Sequence, residues 1–302
     1  MSIRISSTTM YNRGMKDIFS TQTDLSNLQN KITSGTDKAT FIELGQGGDI
    51  ENYTSMQFKY NQSMDYNSNN QMVVDRLSAM DSALNSLTDL ASTTMSNLVL
   101  RRSPNGKSFN VSQLCSAYLG IVSDMLNTQY EGRYLFSGSR TNIPPIADLT
   151  TVSNIINGQP TSNYYRGNSQ MLAIQASPSL SLNYGITGDN PAFQKLIGAF
   201  NFIIKGDQAN DDKTLATAVN VLNDAMSGIA NLRANIGNNM RIIKTLIDIN
   251  DNNNMNLLSS IGEIIDTDIP KTTAAIINKQ TILQASYKVT SIISGLSLKD
   301  YL

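Results

Sequence analysis

The fold is decided by residues 73–98, VVDRLSAMDSALNSLTDLASTTMSNL, in which apolar side chains recur at intervals of three or four. The positions that carry this seam are Val73, Leu77, Met80, Leu84, Leu87, Ala91, Met95 and Leu98. This spacing places one apolar seam along a helix and favours coiled-coil or bundle packing. Helical periodicity extends over about residues 51–101, which predicts a helix roughly 75 Å long at 1.5 Å per residue. Because no ordinary globular core is that long, we expect an elongated helical architecture.

A second long seam follows in the C-terminal half of the chain. Its positions recur at strict intervals of seven: Leu215, Leu222, Ile229, Ile236, Ile243, Asn250, Leu257 and Ile264. Only Asn250 is polar, and a single polar residue on a seam can fix the register of two helices. The two seams together predict a long antiparallel helical rod, packed as a coiled-coil-like bundle.

Shorter amphipathic helices are predicted at both ends, over residues 11–32 and 273–298. Pro270 interrupts the C-terminal pattern and predicts a kink or a join between helices at that point. Residues 35–50 are interpreted as a hinge or loop. The glycines in this segment resemble a phosphate loop, but no Lys-Ser/Thr pair follows them and no buried strand precedes them.

The segment between the long helices changes in character. Residues 103–106 (SPNG) predict a turn, and residues 111–126 predict a helix that returns antiparallel and ends at Gly132. Short alternating runs and turn signals then predict a small β-rich insert over residues 134–191. A short helix over 193–205 and a polar turn over 206–212 complete the pattern. Overall, we predict a mainly α fold with a small inserted β-rich domain.

These elements suggest three parts. Residues 1–50 and 265–302 form a terminal helical assembly domain, residues 51–133 and 192–264 form the helical rod domain, and residues 134–191 form the inserted domain. The terminal helices would pair on assembly.

Composition excludes several classes of function. Among 302 residues there is no histidine or tryptophan, and the only cysteine is Cys115. A histidine-based catalytic triad, an imidazole metal ligand and an internal disulfide are therefore absent from this chain. The acidic pairs Asp211/Asp212 and Asp266/Asp268 are interpreted as a turn and a helix end rather than a carboxylate site. We predict no catalytic residue, no cofactor and no metal site, and hence no enzyme.

The charge balance and the hydropathy of the chain do not favour binding to nucleic acids or insertion into a membrane. Lys and Arg number 23 against 24 Asp and Glu, so the net charge of −1 does not favour nucleic-acid binding. No window is apolar enough to predict a membrane span, and we expect no membrane insertion. Residues 1–10 lack an apolar core and a cleavage site, so we expect no cleaved Sec-type signal peptide.

Several short motifs, in order along the chain, resemble the flagellin superfamily, specifically its branch at the junction of hook and filament. They are Arg4-Ile-Ser6, Met10-Tyr-Asn-Arg-Gly-Met15, Leu28-Gln-Asn-Lys-Ile-Thr-Ser-Gly35, Tyr134-Leu-Phe-Ser-Gly138, Ala234-Asn-Ile-Gly237 with Met240-Arg241, Gln280-Thr-Ile-Leu-Gln-Ala-Ser286 and Leu296-Ser-Leu-Lys-Asp-Tyr-Leu302. The sequence Ile269-Pro-Lys271 departs from the family, which commonly has small helix-forming residues there.

The resemblance implies a structural subunit of the bacterial flagellum that joins the hook to the filament. The implied partners are hook-associated protein 1, flagellin, further copies of the chain in a ring of the flagellar axis, and a cytoplasmic export chaperone at the C-terminal segment. It also implies an extracellular location, reached through the flagellar type III apparatus. The alternative is a flagellin filament subunit.

The terminal helices carry apolar stripes that no neighbouring segment is predicted to cover. The residues assigned to an assembly interface are Tyr11, Met15, Ile18, Leu25, Leu28, Ile32, Ile282, Leu283, Val289, Ile292 and Leu296. A short helix with its stripe in water is marginally stable. We therefore expect residues 1 to about 45 and 270–302 to be disordered in the monomer and to fold on assembly.

Overall fold

The fold is seen in a computed structural model, which describes residues 7–38, 40–106, 109–147, 149 and 164–299. Its helices are α1 (Ser7–Ser34), α2 (Phe41–Gly47), α3 (Ile50–Arg101), α4 (Val111–Leu126), α5 (Pro191–Gln208), α6 (Asp212–Ile265) and α7 (Ile269–Lys299). Its strands are β1 (Gln129–Tyr130), β2 (Arg133–Tyr134), β3 (Leu172–Ser177) and β4 (Leu180–Tyr184). The prediction of a mainly α fold with two long helices and a small β region is confirmed.

Residue contacts group the chain into two compact units. The terminal unit contains residues 1–61 and 253–302, and the central unit contains residues 62–252. The predicted three-part division stays a prediction.

The central unit is built on the two predicted seams. The side chains of Leu77, Leu84, Leu222 and Ile229 are completely buried in one core. Two contacts give the relative direction of the long helices: Asp251 of α6 binds Asn67 of α3, and Arg233 of α6 forms an ion pair with Asp81 of α3. Residues later in α6 therefore lie beside residues earlier in α3. The helices α3 and α6 are therefore antiparallel in this unit, as predicted.

The hairpin of β3 and β4 is anchored to α3. Its strands are antiparallel, with Leu172 opposite Tyr184 and Ile174 opposite Leu182. Asn70, on α3, donates from Nδ2 to the carbonyl of Ala176 at 2.9 Å. The side chains of the β segment also enter the helical core, where Phe136 packs edge-on against Phe193 of α5 at 5.9 Å between ring centroids.

Three local predictions were wrong. Gly132 does not end α4, which stops at Leu126; instead, it lies with Glu131 in the β1–β2 turn, where both residues have positive φ (72° and 50°) as a tight hairpin requires. Residues 35–50 are not simply a loop, because they contain α2. Gly206 lies inside α5 rather than in a turn, and an added Cβ there would sit 3.0 Å from the Leu215 side chain.

The join predicted at Pro270 is confirmed. Helix α6 ends at Ile265 and α7 begins at Ile269, so that Pro270 occupies the first turn of a new helix. Proline is tolerated there because the first amides of a helix have no intrahelical acceptor.

Candidate assembly surface

The terminal unit is organised by the pairing of α1 with α7. Gln22 donates from Nε2 to the hydroxyl of Tyr287 at 2.7 Å, and Lys279 forms an ion pair with Asp24 at 2.6 Å. Gly14 allows a close approach, because a Cβ at this position would lie 3.1 Å from Thr290 Oγ1. The two ends of the chain therefore meet each other along their helices.

A backbone junction holds the base of this helix pair. Thr36 and Asp266 form an isolated antiparallel bridge. On either side, the amide of Thr267 donates to the carbonyl of Gly35 at 2.9 Å, and the amide of Asp37 donates to Ile265 at 2.6 Å. The turn after α1 is thus joined to the link between α6 and α7 by main-chain hydrogen bonds.

Helix α2 follows this junction and is capped at both ends. The Thr40 hydroxyl accepts from the amide of Glu43 while the Glu43 carboxylate accepts from the amide of Thr40, which forms a capping box. Leu44 anchors the helix with only 4% of its surface exposed, whereas Phe41 and Ile42 are 64% and 74% exposed. These two exposed side chains were not predictable from the sequence, since two adjacent apolar residues in a short polar segment give no periodic signal.

The predicted residues of α1 lie on the side that packs inside the chain. Tyr11, Ile18, Leu25, Leu28 and Ile32 share a seam of three- and four-residue intervals with Thr21 and with Gly14, which lies beside Thr290; Met15 is next to this seam. Ile18 is buried, with 2% exposed, while Met15, Leu25, Leu28 and Ile32 are half-buried and Tyr11 is exposed. Most of this stripe is thus covered to some extent within a single copy.

The packed side of α7 is half polar. Its buried and half-buried positions are Thr272, Ala275, Ile276, Lys279, Leu283, Ser286, Thr290 and Ile293, which apart from Ala275 follow four- and three-residue intervals. Of the predicted interface residues, only Leu283 belongs to this set. Hydroxyl and ammonium groups fill four of the eight positions, so only half of the packed positions of α7 are apolar.

The apolar side of α7 faces solvent. We call Ile282, Ala285, Val289 and Ile292 the outer stripe; these residues follow one another at intervals of three, four and three. The side chains of Ile282, Val289 and Ile292 are 44%, 54% and 55% exposed. Leu296 lies in α7, but its side chain is outside the described residues. The structure thus brings the predicted residues of both helices into one unit and separates them into a packed group and an outer group.

Burial of the outer stripe would be favourable. Complete burial of an Ile or Val side chain stabilises a complex by about 1.5–3 kcal/mol. The outer stripe is therefore the part of the predicted site that still has apolar surface to cover by contact with another molecule.

The acidic pairs have structural roles. Asp211 accepts hydrogen bonds from the Thr214 hydroxyl and the Lys213 amide at the start of α6, and these bonds lower the pKa of its carboxyl group. Asp268 accepts from the amide of Lys271 at the start of α7, and Asp266 lies in the bridge with Thr36. These contacts explain the carboxylates as helix-end and junction residues.

Among the described residues, no helix combines the length and apolar character needed to cross a membrane.

The chain resembles known proteins in both sequence and fold. Residues 5–141 match the family of the bacterial flagellin N-terminal helical region. Together with the helical fold and the curated relatives, this match supports a structural role in the bacterial flagellum, of the flagellin-like class.

Two curated relatives of this chain have the same name, flagellar hook-associated protein 3. Flagellar hook-associated protein 3 of Escherichia coli (strain K12) is 21% identical over 254 residues, which cover 74% of this chain and 76% of the relative. Flagellar hook-associated protein 3 of Salmonella typhimurium is 20% identical over 318 residues and 98% of each chain. The chain is similar to this protein along nearly its whole length.

Solved structures show a similar fold. A flagellar hook-associated protein from Vibrio parahaemolyticus has a TM-score of 0.57 at 14% identity, over 71% of this chain and 96% of that one. Bacillus cereus FlgL has a TM-score of 0.51 at 16% identity, over 65% of this chain and 98% of that one.

Proposed function

We propose that this protein is the subunit that joins the flagellar hook to the flagellin filament, without enzymatic activity. The observation that carries the proposal is the outer stripe of α7, which leaves apolar side chains exposed on a helix whose other side is packed against α1. The similarity to flagellar hook-associated protein 3 along the whole chain supports a junction role over other positions in the flagellum.

The partners follow from that position. One neighbour is hook-associated protein 1 and the other is flagellin, while further copies of the chain complete a ring in the flagellar axis. Before assembly, a cytoplasmic chaperone covers the C-terminal segment, and the chain leaves through the flagellar type III apparatus to an extracellular location. The exposed apolar surface of α7 is the feature that such a chaperone would need to cover.

The test is complementation of a strain that lacks the protein. We expect this strain to lose its filaments from otherwise normal hooks, and the unaltered gene to restore them. The variant Ile292→Asp should fail, because it places a charge in the outer stripe. Gln284→Asp is the matched control, since Gln284 is an exposed α7 residue outside that stripe, and it should restore attachment.

Circular dichroism of the purified variants separates assembly from folding. Ile292→Asp should keep the helix content of the unaltered protein, because the side chain it replaces is already exposed. Firm attachment of filaments in the strain without the protein would refute the junction role.

The alternative role, a flagellin filament subunit, predicts a different behaviour. Purified flagellin should extend long filaments from short filament seeds, whereas a junction subunit should add to hooks and then accept flagellin. Unlimited growth of this protein alone would favour the alternative.

A further inference from the structure

The central unit contains a cavity of about 420 Å³ that the assembly surface does not use. It lies between the end of the β3–β4 hairpin and the middle of α6. Five asparagine side chains line it: Asn183, Asn190, Asn235, Asn238 and Asn239. A volume of this size is in the usual range of sites for small ligands.

The amide groups in this cavity have unused hydrogen-bonding capacity. Within the described part of the chain, the side chains of Asn183, Asn235, Asn238 and Asn239 form no hydrogen bond to another protein group, and all except the half-buried Asn239 are exposed. Asn190 uses only Oδ1, which accepts from the amide of Ala192 at the start of α5. Each free amide offers two donors and an acceptor, so the cavity presents a dense set of neutral hydrogen-bonding groups.

The base of the cavity is apolar and rigid. Ile186 and Ile236 are 7% and 2% exposed and belong to the buried core, and the half-buried Leu232 lies beside them. On α6, Leu232, Asn235, Ile236 and Asn239 recur at the spacing that places residues on one side of a helix. Amides and apolar carbon are therefore held together on a fixed surface.

The cavity has no charged lining residue among those that define it. Phosphates, metal ions and other charged ligands would find no countercharge there. Neutral donor–acceptor pairs above an apolar base fit a ligand with many hydroxyl groups and an apolar C–H face. An extended peptide fits less well, because side-chain amides, rather than the main-chain edge of a strand, supply most of the polar groups.

We propose that this amide-lined cavity is a binding site for a neutral saccharide. The free amides of Asn235 and Asn239 would hydrogen-bond vicinal hydroxyls, and the more accessible lining residues Leu232 and Met171 would contact the C–H face of a sugar ring. The site belongs to the central unit and does not depend on the proposed position of the protein in the flagellum.

The test is titration of the full-length, isotope-labelled protein with maltose, lactose, cellobiose and N,N′-diacetylchitobiose, followed by NMR of the asparagine side-chain amides. We expect at least one disaccharide to shift the Asn235 and Asn239 resonances in a saturable manner. The double variant Asn235→Ala/Asn239→Ala should weaken that binding by about ten-fold or more, as expected for the loss of two or more hydrogen bonds.

Matched controls make the outcome decisive. Asn223→Ala removes an exposed α6 asparagine that does not line the cavity, and it should leave binding unchanged. Circular dichroism should show unaltered folding in both variants. The proposal is overturned if no disaccharide saturates the shifts, if the double variant still binds as tightly, or if an uncharged alanine–glycine peptide binds the same amides more tightly than any sugar.

Discussion

At the scale of single residues, the most consequential contact is a buried ion pair at one end of the central unit. Arg101 Nε donates to Asp207 at 2.5 Å, and the side chains of both residues are less than 10% exposed. Asp207 also accepts from the amide of Ser112, and Arg101 donates to Asn210. The pair thus connects the end of α3, the start of α4 and the end of α5.

Removal of one charge should strongly destabilise the central unit. For Asp207→Asn we expect a loss of about 3–5 kcal/mol in the free energy of unfolding, because the Arg101 charge stays buried without its partner. The measurement is urea denaturation followed by circular dichroism.

The matched control for this variant is Asp224→Asn. Asp224 pairs with Lys195 at 3.0 Å, but both side chains are largely exposed, so the change should be within about 0.5 kcal/mol. Equal effects of the two substitutions would contradict the special role of burial.

The single cysteine is expected to be unreactive while the protein is folded. Burial raises the pKa of the Cys115 thiol from 9.0 to about 12, and the nearby charge of Asp207 adds to this effect. The neutral thiol is a poor nucleophile. A disulfide reagent at about pH 8 should therefore modify the protein only after guanidinium is added; rapid modification of the native protein would refute this.

The same shift has a consequence for stability. An unfolded chain releases the thiol proton above about pH 9, whereas the folded chain keeps it until about pH 12. The contribution of this group to the free energy of unfolding is thus fully present below pH 9 and is lost as the pH rises through this range.

At the scale of helices and strands, the two long seams were predictable from sequence, whereas the roles of two glycines were not. The seams of α3 and α6 were evident from sequence because their apolar intervals are regular, and in the structure the residues of both seams lie in one buried core. Gly132 was misassigned because a glycine with positive φ can end a helix or close a hairpin turn. Gly206 was misassigned because glycine can mark a turn or allow close packing, and only its tertiary neighbour Leu215 distinguishes the two.

Asn250, the polar position on the α6 seam, forms a hydrogen bond to α3 whose contribution to stability can be measured. Asn250 donates from Nδ2 to Asn67 at 2.8 Å, and Asn67 donates to Asp251 at 2.6 Å. We expect Asn250→Leu alone to cost about 1–2 kcal/mol, because Asn67 loses a partner in a half-buried position. The double variant Asn67→Leu/Asn250→Leu should recover much of this loss, since both polar groups are removed together.

The measurement is a double-mutant cycle by urea denaturation, with Asn252→Leu, an exposed α6 position that carries no inter-helical bond, as the control. Strict additivity of the two single effects would show that the amides do not interact.

The terminal segments were predicted to be helical, but the sequence did not show which side of each helix packs within the chain and which side is exposed. On α7 half of the buried and half-buried positions are hydroxyl-bearing or charged, whereas the apolar outer stripe is exposed. An apolar pattern in sequence shows which residues share a side of a helix, but it does not show which partner covers that side. The choice depends on contacts such as Gln22–Tyr287, which no periodicity reveals.

At the scale of the molecule, the mainly α architecture was predictable, whereas the integration of the β segment was not. Tyr164 and Tyr184 belong to the same buried core as the long helices. Arg76 of α3 also donates to the hydroxyl of Tyr184 at 3.1 Å. Sequence showed where β structure lies, but the contacts that join it to α3 come from residues far apart in the chain.

Deletion of residues 140–190 should therefore destabilise the central unit. We expect a lower thermal midpoint and binding of a hydrophobic dye, because apolar residues of α3 would lose their cover. The control replaces only the exposed turn residues Pro178 and Ser179 with Asn-Gly, which suits a tight hairpin. If the deleted protein melts as cooperatively and at the same temperature as the control, the shared core is dispensable.

The bridge between Thr36 and Asp266 has a further consequence for the proposed export of this protein. About three quarters of the polypeptide lies between these two positions, so the bridge closes that part of the chain into a loop. A covalent cross-link at this position would keep the chain closed and would prevent it from passing through a narrow channel. The main-chain hydrogen bonds found there would instead open if the chain were pulled straight and could form again afterwards, so this closure is compatible with the proposed export.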